Sequence, residues 1–252
     1  MTAPILHLIR SDLPETASNA DHFGIVRQPS DLGGCTLSVW EYFQQNWISI
    51  VNDAIRHANL TIGVIAIAVV IGVGIGLMTY TQPALASLAT STTSAFLTIP
   101  SLALLGILIG PFGLGTVPVV VALVLYALLP ITRNTIVGLR GVDPAVVGAA
   151  QGMGVGRGRL IYQVKFPLAW PVVLSGIRVS TQMIIGIATI GAYVKGPGLG
   201  NQIFGGLGRF GAANSLNQVL IGTVGVMLLA LLFDLVYVVI GRVTTSRGIR
   251  GN

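Results

Sequence analysis

Charge is what this sequence has least of. Asp, Glu, Lys and Arg make up 9% of the 252 residues, where soluble domains carry about 25%. A water-solvated globule of this size needs more charge than that to cover itself, so an ordinary soluble enzyme and a disordered chain are both excluded. There is one cysteine, Cys35, which cannot pair within the chain, so a disulfide scaffold is excluded too. The histidines His7, His22 and His57 lie scattered before the first apolar run, with no Cys or carboxylate cluster beside them, and no metal site is expected. No nucleophile and base share a helix face, so no intrinsic catalysis is expected. Aromatic residues, at 7%, are too few to locate a cage for a quaternary ammonium, although such a cage is physically sensible. The net charge of +6 comes from basic residues spread between apolar runs. Membrane topology explains that spacing better than nucleic-acid binding does.

What is present is hydrophobicity in long runs. The mean hydropathy is +0.83, and Gly 33 and Pro 12 suit membrane helices, where both residues are commoner than in soluble ones. A span needs about 20 mostly apolar residues to cross about 30 Å of hydrocarbon. Five runs qualify: Leu60 to Tyr80, about Leu88 to Ile109, Val117 to Val137, about Val172 to Ala192, and about Val219 to Ile240. The expected fold is therefore all-α and polytopic. Arg140, Arg157, Arg159 and Lys165 follow the third span, with Arg133 just inside its end, and Arg242, Arg247 and Arg250 follow the fifth. If both segments are cytoplasmic, the N-terminus is outside and the C-terminus inside.

The expected organisation has four parts. Residues 1–38 form a polar, poorly ordered tail. Residues 39–58 form an amphipathic helix whose apolar positions are Trp40, Phe43, Trp47, Val51, Ala54 and Ala58. That face either lies in the headgroup zone or packs on neighbouring membrane helices. Residues 59–242 form the membrane domain, and residues 243–252 a basic cytoplasmic tail.

Gly141 to Pro171 is too polar for a span and too patterned for a linker. Asp143 reads as an N-cap, with Pro144 at the first helical position. A short helix then runs from Ala145 to Gly152, and Gly154 suits a left-handed C-terminal position. A second short helix covers roughly Arg157 to Lys165, and Pro167 is expected to end it. The outcome is a stiff helix–Gly–helix knob on the cytoplasmic face, fit to dock on a partner.

This segment resembles the coupling loop of ABC-transporter permease subunits, with the pattern E-A-A-x3-G-x9-I-x-L-P. Ala149, Ala150 and Gly154 keep the spacing. Val164 stands at the Ile position, Phe166 at the Leu position and Pro167 at the Pro. Gly148 replaces the acidic residue, which puts in doubt any salt bridge that carboxylate would make. Met153, Arg157 and Arg159 belong to the same loop. The runs IPSLALLGILIG (99–110), 121–148 and GPGLG (196–200) are similar to the osmoprotectant branch, importers of glycine betaine, choline, carnitine or proline betaine. The similarity runs from about Trp40 to Arg242. The resemblance implies the type I importer fold, a permease dimer of identical or paralogous chains, two ATPase subunits and an extracytoplasmic substrate-binding protein. It implies no cofactor in this chain, ATP and Mg being held by the ATPase. The chain is thus expected to sit in a bacterial inner membrane among lipid, with no nucleic-acid partner. The rival class is a self-sufficient secondary transporter or channel, which would need an internal repeat and coupling-ion ligands in the membrane; no repeat is visible.

Other features carry expectations of their own. Arg178 and Asp234 are the ionisable residues deepest in apolar runs, about a third of the way in from the cytoplasm at about 1.5 Å per residue. They are expected to pair or share a polar network. Otherwise Arg178 snorkels and Asp234 bonds backbone or water. Pro100 and Pro130 are expected to kink spans two and three. Gly72, Gly74 and Gly76 let another helix approach. The glycine-dense stretch Gly191 to Gly211 reads either as a dip into the outer mouth, with a short helix Asn201 to Leu207, or as a plain external loop.

Overall fold

The computed structural model describes residues 37–244; the expected N-terminal tail up to residue 36 and most of the basic C-terminal tail lie outside the described residues. Among the described residues nine α-helices occur in order: α1 Val39–Thr79, α2 Pro83–Thr98, α3 Ser101–Phe112, α4 Thr116–Arg140, α5 Pro144–Gly152, α6 Arg157–Leu160, α7 Phe166–Ile190, α8 Gly200–Leu207 and α9 Ser215–Thr244. A π-helical turn, Ile161–Lys165, joins α6 to α7, and a 3₁₀ turn, Gly191–Val194, follows α7. No strand occurs among the described residues.

Helix α4 is the centre of the bundle. Leu123, Ile131 and Leu139 are among its fully buried side chains. It packs on α1, α2, α3 and α7, and glycines set the closest approaches. A Cβ at Gly72 would come within 2.9 Å of Ile131, and one at Gly76 within 2.5 Å of Thr135. Gly74 faces open space, so two of the three expected packing glycines pack. On the other side of α4, Gly138 nests against Ala169 and Val172, and Gly176 against Asn134 and the Pro130 carbonyl.

These contacts fix the number of crossings. Along α1 and α4, Gly72 meets Ile131, Gly76 meets Thr135, and the Tyr80 carbonyl accepts from Arg140 Nε at 2.7 Å. The order rises on both helices, so they run parallel. The chain between them must therefore return across the full thickness. That return is α2 plus α3, each too short to span alone and bent by 96° at their junction. With α1, α4, α6–α7 and α9 the described residues make five crossings, matching the five expected runs. At Pro100, however, the expected kink is a break. Ile99 and Pro100 both take extended angles, because a residue before proline is pushed from the helical region and proline has no N–H to donate. Pro130, by contrast, sits inside a continuous α4.

Two further corrections concern helix ends. Residues 39–58 are no separate helix in the headgroup plane: α1 runs unbroken for 41 residues, about 60 Å at 1.5 Å per residue. It starts at a capping box, in which Ser38 Oγ accepts from Glu41 N and Glu41 accepts from Ser38 N, and no proline interrupts it before Pro83. Ile50, Ala54 and Ala58 pack against Leu199, Ile221 and Leu229, while Trp40, Phe43 and Trp47 stay exposed. Nor does Pro167 end a helix. It occupies the first turn of α7, directly after the π turn, where Phe166 N reaches back to Ile161 O. The extra residue of a π turn shifts the hydrogen-bond register, which lets a residue lacking an N–H follow without a break. Helices α6 and α7 thus form one rod from Arg157 to Val194.

Candidate functional site

The rod begins at the end of the bundle that the basic residues mark as cytoplasmic, and α5 sits on that end. Asp143 Oδ1 accepts from Ala145 N at 2.8 Å, and Pro144 fills the first position. The helix stops in a Schellman motif: Val155 N donates to Ala150 O at 3.1 Å, and Gly154 N to Gln151 O at 2.9 Å. Gly154 supplies the positive φ of 81° this needs. Ala150 and Leu160 are buried where α5 meets α6 and the π turn. A force on α5 therefore passes directly into the α6–α7 rod.

The outward face of α5 is apolar. Val146, Ala149 and Met153, spaced by three and four residues, are all exposed, Met153 at 78%. An exposed apolar strip on a membrane protein's polar end calls for a partner surface. Of the resemblance-implied positions, Ala149 faces outward and Ala150 inward. Gly148 is exposed with open space about it. Arg157 and Arg159 are exposed in the first turn of α6, where the helix dipole disfavours cations. An anionic surface opposite would offset that cost.

Inside the membrane zone, Arg178 Nε lies 2.6 Å from Asp234 Oδ1, and Nη2 lies 2.7 Å from Oδ2. This bidentate pair joins α7 to α9. Gln182 Nε2 adds a bond to Asp234 Oδ1 at 3.2 Å, a member the sequence reading missed although it stands one turn from Arg178. The two charged side chains remain 44% and 33% exposed. Arg178 lies in a polar stripe on α7: Ser175, Arg178, Gln182, Gly186 and Thr189, at spacings of three and four, are unburied, with Val172 and Val179 exposed along one side of it. Helices α1 and α9 differ sharply. Their exposed residues in the same zone include Ile67, Val70 and Met78, and Leu228, Leu231 and Leu235. Hydrocarbon suits these faces of α1 and α9; it does not suit the group Arg178, Gln182 and Asp234 where α7 meets α9.

The opposite end is closed by the glycine-dense stretch. It packs on the bundle, and its short helix is α8, one residue longer than expected. Gly198, at φ 125°, lies against the ring of His57, and Gly200 against the Thr189 carbonyl. His57 is 0% exposed. Its Nε2 is 3.2 Å from Ile185 O, and since a carbonyl only accepts, the ring proton is on Nε2. Asp53 accepts from Gln202 Nε2 at 2.6 Å, and Gln202 Oε1 accepts from Gln218 at 3.2 Å. This chain of bonds ties α1, α8 and α9. Nothing in the sequence pattern pointed to His57 as a packing residue. Among the described residues no cluster of His, Cys, Asp or Glu could hold a metal.

A five-crossing helical bundle with a rigid knob at its polar end and one polar membrane face is a polytopic transport permease. The chain belongs to the family of binding-protein-dependent transport system inner membrane components, which residues 44–245 match. It is a multi-pass inner-membrane protein. It is 33% identical over 193 residues to the carnitine transport permease protein OpuCB of Listeria monocytogenes, covering 77% of this chain and 87% of that protein. It is 40% identical over 154 residues to the glycine betaine/carnitine/choline transport system permease protein OpuCB of Bacillus subtilis (strain 168), covering 61% of this chain and 69% of that one. In three dimensions it is similar to the MetNI methionine ABC transporter in an inward-facing crystal form. The TM-score is 0.68 at 23% identity, covering 83% of this chain and all of that one.

Proposed function

We propose that this chain is the membrane subunit of an ATP-driven importer of compatible solutes of the quaternary-amine class. Two ATPase subunits on the cytoplasmic side hold ATP and Mg; this chain supplies no catalytic group. A binding protein delivers solute from outside, and a second permease, identical or paralogous, completes the pathway. The single observation that supports this most is α5: a short helix fixed at both ends, apolar on its outward face and packed onto the rod that continues into α7. Val146, Ala149 and Met153 enter a groove on the ATPase. Closure of the ATPase pair pushes α5, the rod α6–α7 turns, and α4 and α9, packed on it, move with it. The polar stripe on α7 faces the aqueous pathway between the two permeases, which removes the cost of holding it in lipid. The names of the relatives support the solute class.

The test is uptake of radiolabelled glycine betaine, carnitine and choline into proteoliposomes. They would hold the permease, its ATPase and internal ATP, with the binding protein outside. Uptake that needs all components is the expected result. Uptake that persists without ATPase or ATP would mean a secondary transporter instead.

A further inference from the structure

On the inward flank of α5 lies a cleft of about 440 Å³, whose lining includes Tyr80, Arg140, Val147, Gly148, Gln151 and Lys165. It is basic: two cations line it, and no carboxylate does. Asp143, adjacent in sequence to the lining residues Val142 and Pro144, lines a separate cleft and uses its Oδ1 to cap α5. Among the described residues no carboxylate pairs with either cation. Arg140 donates Nε to the Tyr80 carbonyl at 2.7 Å, and that bond leaves the guanidinium's charge unpaired. Lys165 Nζ sits 5.1 Å from the centre of the Tyr80 ring, a cation–π contact that orients the ammonium but brings no counter-charge. Tyr80 therefore holds one cation with its backbone and the other with its ring, on either side of one opening. The backbone at Gly148 leaves that opening free, since a Cβ there would meet no atom within 4 Å.

We infer that this cleft receives an acidic side chain from the ATPase subunit, between Arg140 and Lys165 beside Gly148. The inference rests on the importer reading, and adds to it a second contact of known sign. The apolar strip of α5 docks on its outward side, and the ATPase carboxylate locks its inward side against α1 and α4. Such a pair sets the orientation of α5 in its groove and makes association depend on salt.

The test uses the intact detergent-purified complex with its own ATPase. A water-soluble carbodiimide joins an amine to a carboxylate as an amide, with loss of water. It is expected to link Lys165 to an Asp or Glu of the ATPase, a cross-linked peptide read by mass spectrometry and absent in Lys165→Gln. Lys165→Glu is expected to weaken ATPase binding about tenfold at low salt and Lys165→Arg is not, with an unchanged Tm showing that both variants fold. No cross-link in a complex that retains its ATPase, or a Lys165→Glu variant that binds as tightly as the native chain, overturns the inference. So does a Lys165→Glu effect seen only in nanodiscs with anionic lipid, which would make a headgroup the occupant. A native chain that holds no ATPase at all would instead bring down the importer reading itself.

Discussion

Arg178 and Asp234 stand 56 residues apart in sequence and meet through two parallel hydrogen bonds of 2.6 and 2.7 Å. The pair is bidentate, which fixes the geometry of the guanidinium against the carboxylate, and it holds α9 against α7 on a face that lipid does not suit. An ion pair in such a place is more costly to break than to remove. Arg178→Gln alone leaves a bare carboxylate in the membrane zone. Asp234→Asn alone leaves a bare guanidinium. Either single change is expected to lower the Tm of the purified permease by several degrees, and the double change to lower it less. A double variant less stable than both singles would show that the pair is worth more than its desolvation.

Packing between α1 and α4 gives a second prediction. Gly76→Ala drives a methyl group to 2.5 Å from Thr135 and should cost about 1–3 kcal/mol as overpacking. Gly74→Ala meets nothing and should be neutral or stabilising by up to about 1 kcal/mol, since alanine favours helix over glycine. Thermal unfolding of the two variants side by side reads the difference.

Both features bear on what the sequence alone could tell. Arg178 and Asp234 were legible as partners because ionisable residues are rare in apolar runs and both sit at similar depth. The glycines were legible as a group, but the helix phase that separates Gly74 from Gly72 and Gly76 depends on where α4 lies. Knob boundaries were legible because Asp143, Pro144 and Gly154 each have a strong local conformational preference. Pro167 misled for the opposite reason: its preference is local, and the π turn that accommodates it arises from the rod as a whole. The polar stripe on α7 passed unnoticed because one polar or small residue per turn barely lowers the hydropathy of the run. His57 carried no signal, since its partners Ile185 and Gly198 are set only by the fold.

The end of α5 provides a third prediction. Gly154 is held at φ 81°, where a residue with a Cβ is disfavoured by roughly 1–2 kcal/mol. Gly154→Val should loosen the Schellman turn and reduce ATP-coupled uptake while leaving the membrane bundle folded. Gly152→Ala, helical and in open space, should leave uptake unchanged. Equal uptake by both variants would argue against a need for a stiff knob.

A fourth concerns the outer closure. Gly198→Ala adds a methyl group 2.8 Å from His57 Nδ1 at a positive φ, so both space and backbone oppose it. The 196–200 segment should lift from α1, and hydrogen exchange should rise at residues 196–207 with no change at α5. Exchange unchanged in that segment would mean that the ring of His57 does not seat it.

The central claim is that α5 is the surface through which the ATPase acts, and labelling tests it most directly. With Cys35 replaced by Ser, Met153→Cys carries a single thiol on the outward face of α5. A membrane-impermeant maleimide should label it in inside-out vesicles and not in right-side-out ones, and bound ATPase should protect it. Labelling from the outside, or undiminished labelling in the ATPase complex, would contradict the account.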